Sequence, residues 1–231
     1  MTNNLPMTQT LHIDFVSDVA CPWCAVGLAS LERALQNLAG EVPVDIRFQP
    51  FELNPQMGPE GQDITEHLTQ KYGSTPEQQL QARAGIAQRG AAVGFEFRKE
   101  GRGRAWNTFD AHRLLTWAGE QGAKQQRDLK MALLRAYHGE GRNLSDPAVL
   151  ADVAASAGLD RKQAEEVIAS GRYAQKVRDA EQHWHSLGIT AVPSVVINER
   201  HLIQGGQPPE LFEQALRQLA QQPEGSATTE A

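Results

Sequence analysis

Residues 16–28, VSDVACPWCAVGL, hold the only two cysteines in a chain of 231 residues, Cys21 and Cys24, separated by Pro22 and Trp23. Four chemistries compete for such a pair. A zinc site needs about four ligands. The histidines are scattered, and the closest two, His183 and His185, have a spacing that turns them apart on a helix. No metal is therefore expected. A structural disulfide across two intervening residues removes little chain entropy. Two small apolar side chains could also simply pack there. The fourth reading, a redox-active dithiol, is the one the surrounding residues favour.

The reason lies in the residues after the first cysteine. Cys24, Leu28, Leu31, Leu35 and Leu38 recur at spacings of four and three, the stripe of a helix with one buried face. Pro22 suits its first turn, where a missing N–H is no loss. Cys21 then falls at the helix N-terminus, whose partial positive charge favours a thiolate and a pKa below the free value of about 8.5. Cys24 falls on the buried stripe, which favours the neutral thiol. The expectation is an exposed Cys21 that attacks and a protected Cys24 that resolves, the asymmetry disulfide exchange requires. Trp23 adds no charge, so the pair is expected to be less oxidising than one with histidine there.

The elements that must position this pair are legible on both sides of it. Leu11 to Val16 alternates as a strand, and so does Val44 to Phe51, with Pro50 weakening its end. Strand, helix and strand in so short a span read as a βαβ unit with parallel strands. Residues from about 62 to 187 carry helical periodicity and little strand signal. Asp146 before Pro147, and Asp160 with Gln163 three residues on, mark helix starts. Strand character returns at Val195 to Asn198 and His201 to Gln204, and a last helix opens near Pro208-Pro209. The fold class is α/β. Residues 1–60 and 188–222 form the core (βαβ plus ββα), 61–187 a large all-helical insertion domain, and 223–231 a polar tail expected to be disordered.

Composition narrows the function classes. With 40% hydrophobic and 22% charged residues the chain is globular, and its net charge of −6 argues against a nucleic-acid surface. The basic cluster Arg98-Lys99, Arg102, Arg104 is read as a solvated loop or helix end. No membrane span and no signal-peptide pattern stands out, so a cytoplasmic location is expected. Thiols there are normally kept reduced, which further disfavours a purely structural bridge.

Taken with NTFDAHRLL at 107–115, GITAVPSVVIN at 188–198 and QGGQPPE at 204–210, the CPWC segment resembles the DsbA-family, FrnE-like thiol–disulfide oxidoreductases. That resemblance implies a thioredoxin core interrupted by helices. It also implies that Pro193 follows a cis peptide bond, packs against the cysteines, and leaves the backbone of Val192 free for substrate. One departure stands out: the strand position where such enzymes often bury an acid is Phe15, which leaves the proton of Cys24 without an obvious acceptor. Pro22 and Trp23 are candidate supporting residues, with Trp23 expected to touch substrate. Asn107 is either a helix cap or the border of a substrate groove. His112 is either a histidine satisfied at a helix interface or a functional group.

The resulting expectation is a cytosolic protein thiol–disulfide oxidoreductase or isomerase with no tightly bound cofactor. It would act on protein or small-molecule disulfides and thiols, with glutathione as a candidate redox partner and no nucleic acid or membrane. The alternatives are a glutathione-dependent isomerase or transferase on small aromatic substrates, and a holdase-type chaperone.

Overall fold

The computed structural model describes residues 10–221. The polar tail expected over 223–231 lies outside the described residues. β1 (Leu11–Ser17), α1 (Pro22–Leu38) and β2 (Val44–Pro50) form the expected unit, with β1 and β2 parallel. Alternation directs Leu11, Ile13 and Phe15 to one buried face, in register with Val44, Ile46 and Phe48. The rings of Phe15 and Phe48 lie 5.7 Å apart, tilted, a favourable aromatic arrangement. β5 (Ser194–Ile197) returns antiparallel to β1, and β6 (His201–Gln204) antiparallel to β5, which gives the order β2-β1-β5-β6. α9 (Pro209–Ala220) packs on α1 and β1. This is a thioredoxin-like sheet.

Between β2 and β5 run α2 (Ile64–Tyr72), α3 (Pro76–Ala92), α4 (Phe109–Gln121), α5 (Ala123–Leu134), α6 (Pro147–Ser156), α7 (Arg161–Ser170) and α8 (Ala174–Ser186). Their starts follow from local chemistry. The carboxylate of Asp146 accepts from the N–H of Ala148, and that of Asp160 from Gln163. Thr75 and Gln78 close a reciprocal capping box at α3. The helical segment is not wholly helical: β3 (Gln62–Asp63) and β4 (Arg104–Ala105) pair antiparallel. Strands of two residues are too short to leave an alternating pattern in sequence.

The helices share the core of the sheet. One continuous apolar cluster joins Phe15 and Leu28 to Leu114, Leu129 and Leu133 of α4 and α5. A second cluster packs Val16 and Val196 against Phe51, Ile189 and Trp184 of α8. β2 is an edge strand, and α5 covers that edge. The side chain of Gln126 accepts from the N–H of Phe48 at 3.0 Å and donates to its carbonyl at 3.2 Å, so it stands in for a neighbouring strand.

α5 runs into a single π-helical turn, Arg135–Gly139, in which Tyr137 and His138 both face inward. Such turns are frequent at functional sites. The Tyr137 hydroxyl donates to the carbonyl of Arg104 at 2.9 Å, and His138 Nε2 donates to the carbonyl of Val19, also at 2.9 Å. Burial, then the nearby charge of Arg102, push the imidazole of His138 down to about 3.

The packed β1 face and the buried imidazole can each be tested. Phe15→Ala removes a fully buried ring and should lower unfolding stability by about 3–5 kcal/mol, read from the urea midpoint; a loss near zero would show that the β1 face is not packed as described. His138 takes up its proton from pH 6.5 downward in the unfolded chain, but only near 3 when folded. The unfolded state therefore binds more protons between those values, and stability falls with falling pH by about 1.4 kcal/mol per unit from this group. His138→Gln, which keeps a donor for Val19, should flatten the stability–pH slope between about pH 4 and 6 by about that amount. An unchanged slope would contradict a buried neutral imidazole.

Candidate active site

The loop from Asp18 to Ala20 delivers Cys21 to the start of α1, and elements beyond β2 hold every residue of it. Asp18 is fully buried. Its carboxylate accepts from the N–H of Ala20 at 3.0 Å and from the N–H of Leu53, just past β2, at 2.7 Å. Nε2 of His112 on α4 lies 3.4 Å from the same carboxylate. Burial alone would raise the pKa of Asp18, but the hydrogen bond and charge of His112, and then the two N–H groups, outweigh it and hold the carboxyl below its usual range. Val19 is bound by His138. The carbonyl of Ala20 accepts from Arg102. Arg102 reaches it from between Gly101 and Gly103, both at positive φ, a conformation that glycine adopts without strain. The basic cluster expected to be solvated is thus partly built into the site, because its guanidinium groups satisfy loop carbonyls; Arg104 likewise donates to Glu60 and Gly61.

Cys21 is the N-cap of α1, in an extended conformation, and Pro22 opens the helix. The sequence led to an exposed Cys21. The structure corrects this: Cys21 is only 5% exposed, against 0% for Cys24. The reason is the loop before β5. Val192-Pro193 is a cis peptide bond, and the sulfur of Cys21 lies 3.5 Å from the carbonyl oxygen of Val192. That carbonyl, expected to be free, is covered by the sulfur: the thiol form of Cys21 donates to it, and the thiolate does not. Pro193 is buried, and its ring meets α1 at Gly27, where an added Cβ would stand 3.0 Å from Pro193 Cγ.

The two sulfurs differ in proton affinity. A hydrogen bond from the Cys24 side chain lowers the pKa of Cys21. Burial opposes this, the backbone N–H of Cys24 supports it, the charge of Asp18 opposes it, and the N–H of Trp23 supports it; the balance is downward. Burial, then the hydrogen bond and charge of Cys21, drive Cys24 well above the usual thiol range. One proton between two sulfurs thus sits on Cys24. Such a pair can offer a thiolate at Cys21 and hold a thiol in reserve.

The remaining candidates fall around this pair. Trp23 is 37% exposed. Arg89 of α3 stacks over its ring at 5.7 Å and donates to the carbonyl of Gly206 at 2.7 Å, which ties α3 to the redox helix. Asn107 is half-buried: its Nδ2 donates to the carbonyl of Met57 at 2.8 Å, and its Oδ1 accepts from the N–H of Phe109 at 2.9 Å. It therefore closes the start of α4 and pins the loop after β2. His112 is 1% exposed and lies beneath Asp18. Its Nε2 is directed at that carboxylate, and its ring is closed off from solvent. Lys130, His138 and Arg102 are not singled out by sequence pattern as site residues. Lys130 does carry a signal, since Gln126, Lys130 and Leu134 share one inward line of α5. Among the described residues no group of three or more His, Cys, Asp or Glu side chains could hold a metal, and no helix is long and apolar enough to cross a membrane.

Known proteins carry the same architecture. A probable DsbA oxidoreductase from Streptomyces coelicolor has 33% sequence identity and a TM-score of 0.84, over 96% of this chain and 95% of that one. The cytosolic disulfide reductase DsbM from Pseudomonas aeruginosa, solved with GSH, superposes with a TM-score of 0.64 at 20% identity, over 93% of this chain and 100% of that one. The uncharacterized protein YwbO of Bacillus subtilis is 26% identical over 221 residues, 90% of this chain and 96% of its own length. The DSBA-like thioredoxin domain matches residues 12–217, a span that takes in the cysteines, the loop beneath them and the cis-proline alike, and the chain belongs to that family.

Proposed function

We propose that the protein is a cytosolic thiol–disulfide oxidoreductase or isomerase working through Cys21 and Cys24. The observation that carries this reading is the placement of the two thiols: Cys21 is the N-cap of α1 with its sulfur 3.5 Å from the Val192 carbonyl, and Cys24 is wholly buried in the first turn; the downward pKa shift of Cys21 and the upward shift of Cys24 agree with it. The Cys21 thiolate attacks one sulfur of a substrate disulfide. A Cys21–substrate S–S bond forms, the substrate S–S bond breaks, and its electron pair leaves on the second substrate sulfur, which takes a proton from solvent. Cys24 then attacks Cys21, closes the internal disulfide and releases the first sulfur as a thiol. Run backwards, the same steps oxidise a dithiol.

The cis loop stands where it can orient this exchange. Val192 borders the sulfur of Cys21, Pro193 packs on α1 at Gly27, and the half-exposed Trp23 forms the rim that an incoming chain meets. The only two cysteines are the pair itself, so no other thiol calls for an oxidising compartment. The likeness to a reductase solved with GSH supports glutathione as the partner that resets the pair. The presence of both Cys21 and Cys24 favours redox chemistry over a glutathione-dependent isomerase, which needs no second thiol.

The test uses single variants and glutathione disulfide. Reduced Cys24→Ser should retain one glutathione on Cys21 by intact mass, while the unmutated protein passes through that adduct to the internal disulfide. Cys21→Ser should lose insulin-reducing activity. Full activity in Cys21→Ser would end the reading and favour the isomerase alternative.

A further inference from the structure

Gly205-Gly206, the break in the QGGQPPE segment, lies against the redox helix. The N–H of Gly205 donates to the carbonyl of Pro193 at 2.8 Å. A Cβ on Gly206 would stand 3.1 Å from Cε3 of Trp23 and 3.3 Å from the Trp23 carbonyl oxygen, so this loop packs on the indole only because it has no side chain there. Arg89 of α3 completes the arrangement. It donates to the carbonyl of Gly206 at 2.7 Å, and its guanidinium carbon lies over the Trp23 ring at 5.7 Å. A cation is thus seated on the half-exposed ring just past Cys21. Just before Cys21, the carbonyl of Ala20 accepts from Arg102, whose guanidinium also lies over the ring of Tyr137 at 5.6 Å.

Neither cation has the partner that arginines hold elsewhere in the chain. Arg113 holds Asp110, Arg127 holds Glu32 and Arg178 holds Glu52. Arg89 and Arg102 take only a neutral carbonyl and an aromatic face, and among the described residues neither pairs with a carboxylate. The acid of the loop, Asp18, is buried and already bound by Ala20, Leu53 and His112. A guanidinium is charged at every working pH and has more N–H donors than one carbonyl uses. Stacking on an aromatic face leaves its edge open, and that edge matches a carboxylate with two parallel N–H bonds. Arg102 is half-buried, whereas Arg89 is exposed and within reach of a substrate. In a chain of net charge −6, the mouth of the dithiol is therefore bordered on both sides by positive charge.

We propose that Arg89 is a specificity-determining residue: seated on Trp23, it takes a carboxylate carried beside the reacting sulfur, so that the dithiol prefers acidic disulfides to neutral ones. This rests on the oxidoreductase reading above and adds the charge class of the substrate. Attraction between the cationic rim and an acidic disulfide raises the rate of encounter. The pairing with Arg89 then holds the disulfide at Trp23, next to Cys21. Arg102 adds to the same field while it holds Ala20. An acidic residue of a peptide and a carboxylate of glutathione present the same chemistry to Arg89.

Two pairs of probes test the proposal and separate those sources. One pair is a capped tripeptide disulfide with glutamate or glutamine beside the cysteine; the other is glutathione disulfide or its ethyl ester. The ratio of kcat/KM for the acidic over the neutral member is compared between proteins, which cancels the intrinsic reactivity of the disulfides. In Arg89→Gln the ratio should drop about two- to fivefold, the worth of one exposed ion pair. Arg89→Lys, which keeps the charge without the planar fork, should retain more of it, and Arg89→Glu should lower it below that of Arg89→Gln. A drop confined to the peptide pair would identify an acidic chain as the source, and one confined to the glutathione pair would identify the small thiol. The unmutated protein supplies a check that needs no variant. Its ratio should fall as ionic strength rises from about 0.01 to 1 M, because the screening length shrinks from about 30 to about 3 Å. Ratios indifferent to position 89 or to salt, or equal losses on acidic and neutral probes, would overturn the proposal and leave Arg89 as a clamp between α3 and Gly206. Turnover of the neutral probes by Cys21→Ser as fast as by the unmutated protein would instead remove the oxidoreductase reading.

Discussion

A carboxylate with no access to water ties three parts of the chain together one turn ahead of the cysteines. Asp18 holds its own loop through Ala20, the exit of β2 through Leu53, and α4 through His112. An isolated buried charge is unfavourable by several kcal/mol, and removing one partner of a buried pair typically costs about 3–5 kcal/mol. The arrangement persists because two N–H donors and an imidazole converge on it. Cys21 is placed by this loop, so the position of its sulfur depends on contacts made far from α1.

The same anchor works against the chemistry it positions. The negative charge of Asp18 opposes a thiolate at Cys21, yet the hydrogen bond from Cys24 and the N–H groups at the start of α1 outweigh it. Cations are brought in around the loop by the segment between β2 and β5. Arg102 binds Ala20, and Arg89 covers Trp23. Sheet and helices thus form one electrostatic unit. The core agrees with this, since apolar contacts run without interruption from Phe15 to Leu133.

Much of this is legible in the sequence, and the remainder is hidden for identifiable reasons. Alternation in 11–16 and 44–51 and the stripe from Cys24 to Leu38 specify the sheet and redox helix, because each has one buried face and a clear period. Pro193 is legible only through its company with CPWC. The burial of Cys21 is not legible, because local position at a helix start says nothing of a loop 171 residues away that covers it. His112 and Lys130 are obscured by residue type: each reads as an ordinary interface or surface side chain until tertiary packing sets His112 against the buried carboxylate of Asp18 and Lys130 in a crevice that His112 also lines. Arg102 is hidden among other basic residues, and only its flanking glycines hint at a purpose.

The central claim is that Cys21 carries the thiolate while Cys24 keeps the proton. Alkylation of the reduced, folded protein across pH, with each cysteine quantified by peptide mass spectrometry, tests it most directly. Cys21 should be labelled with a midpoint below the free-thiol value of about 8.5, and Cys24 should resist labelling until far higher pH or until the chain unfolds. Equal labelling of the two, or labelling of Cys24 first, would contradict the account.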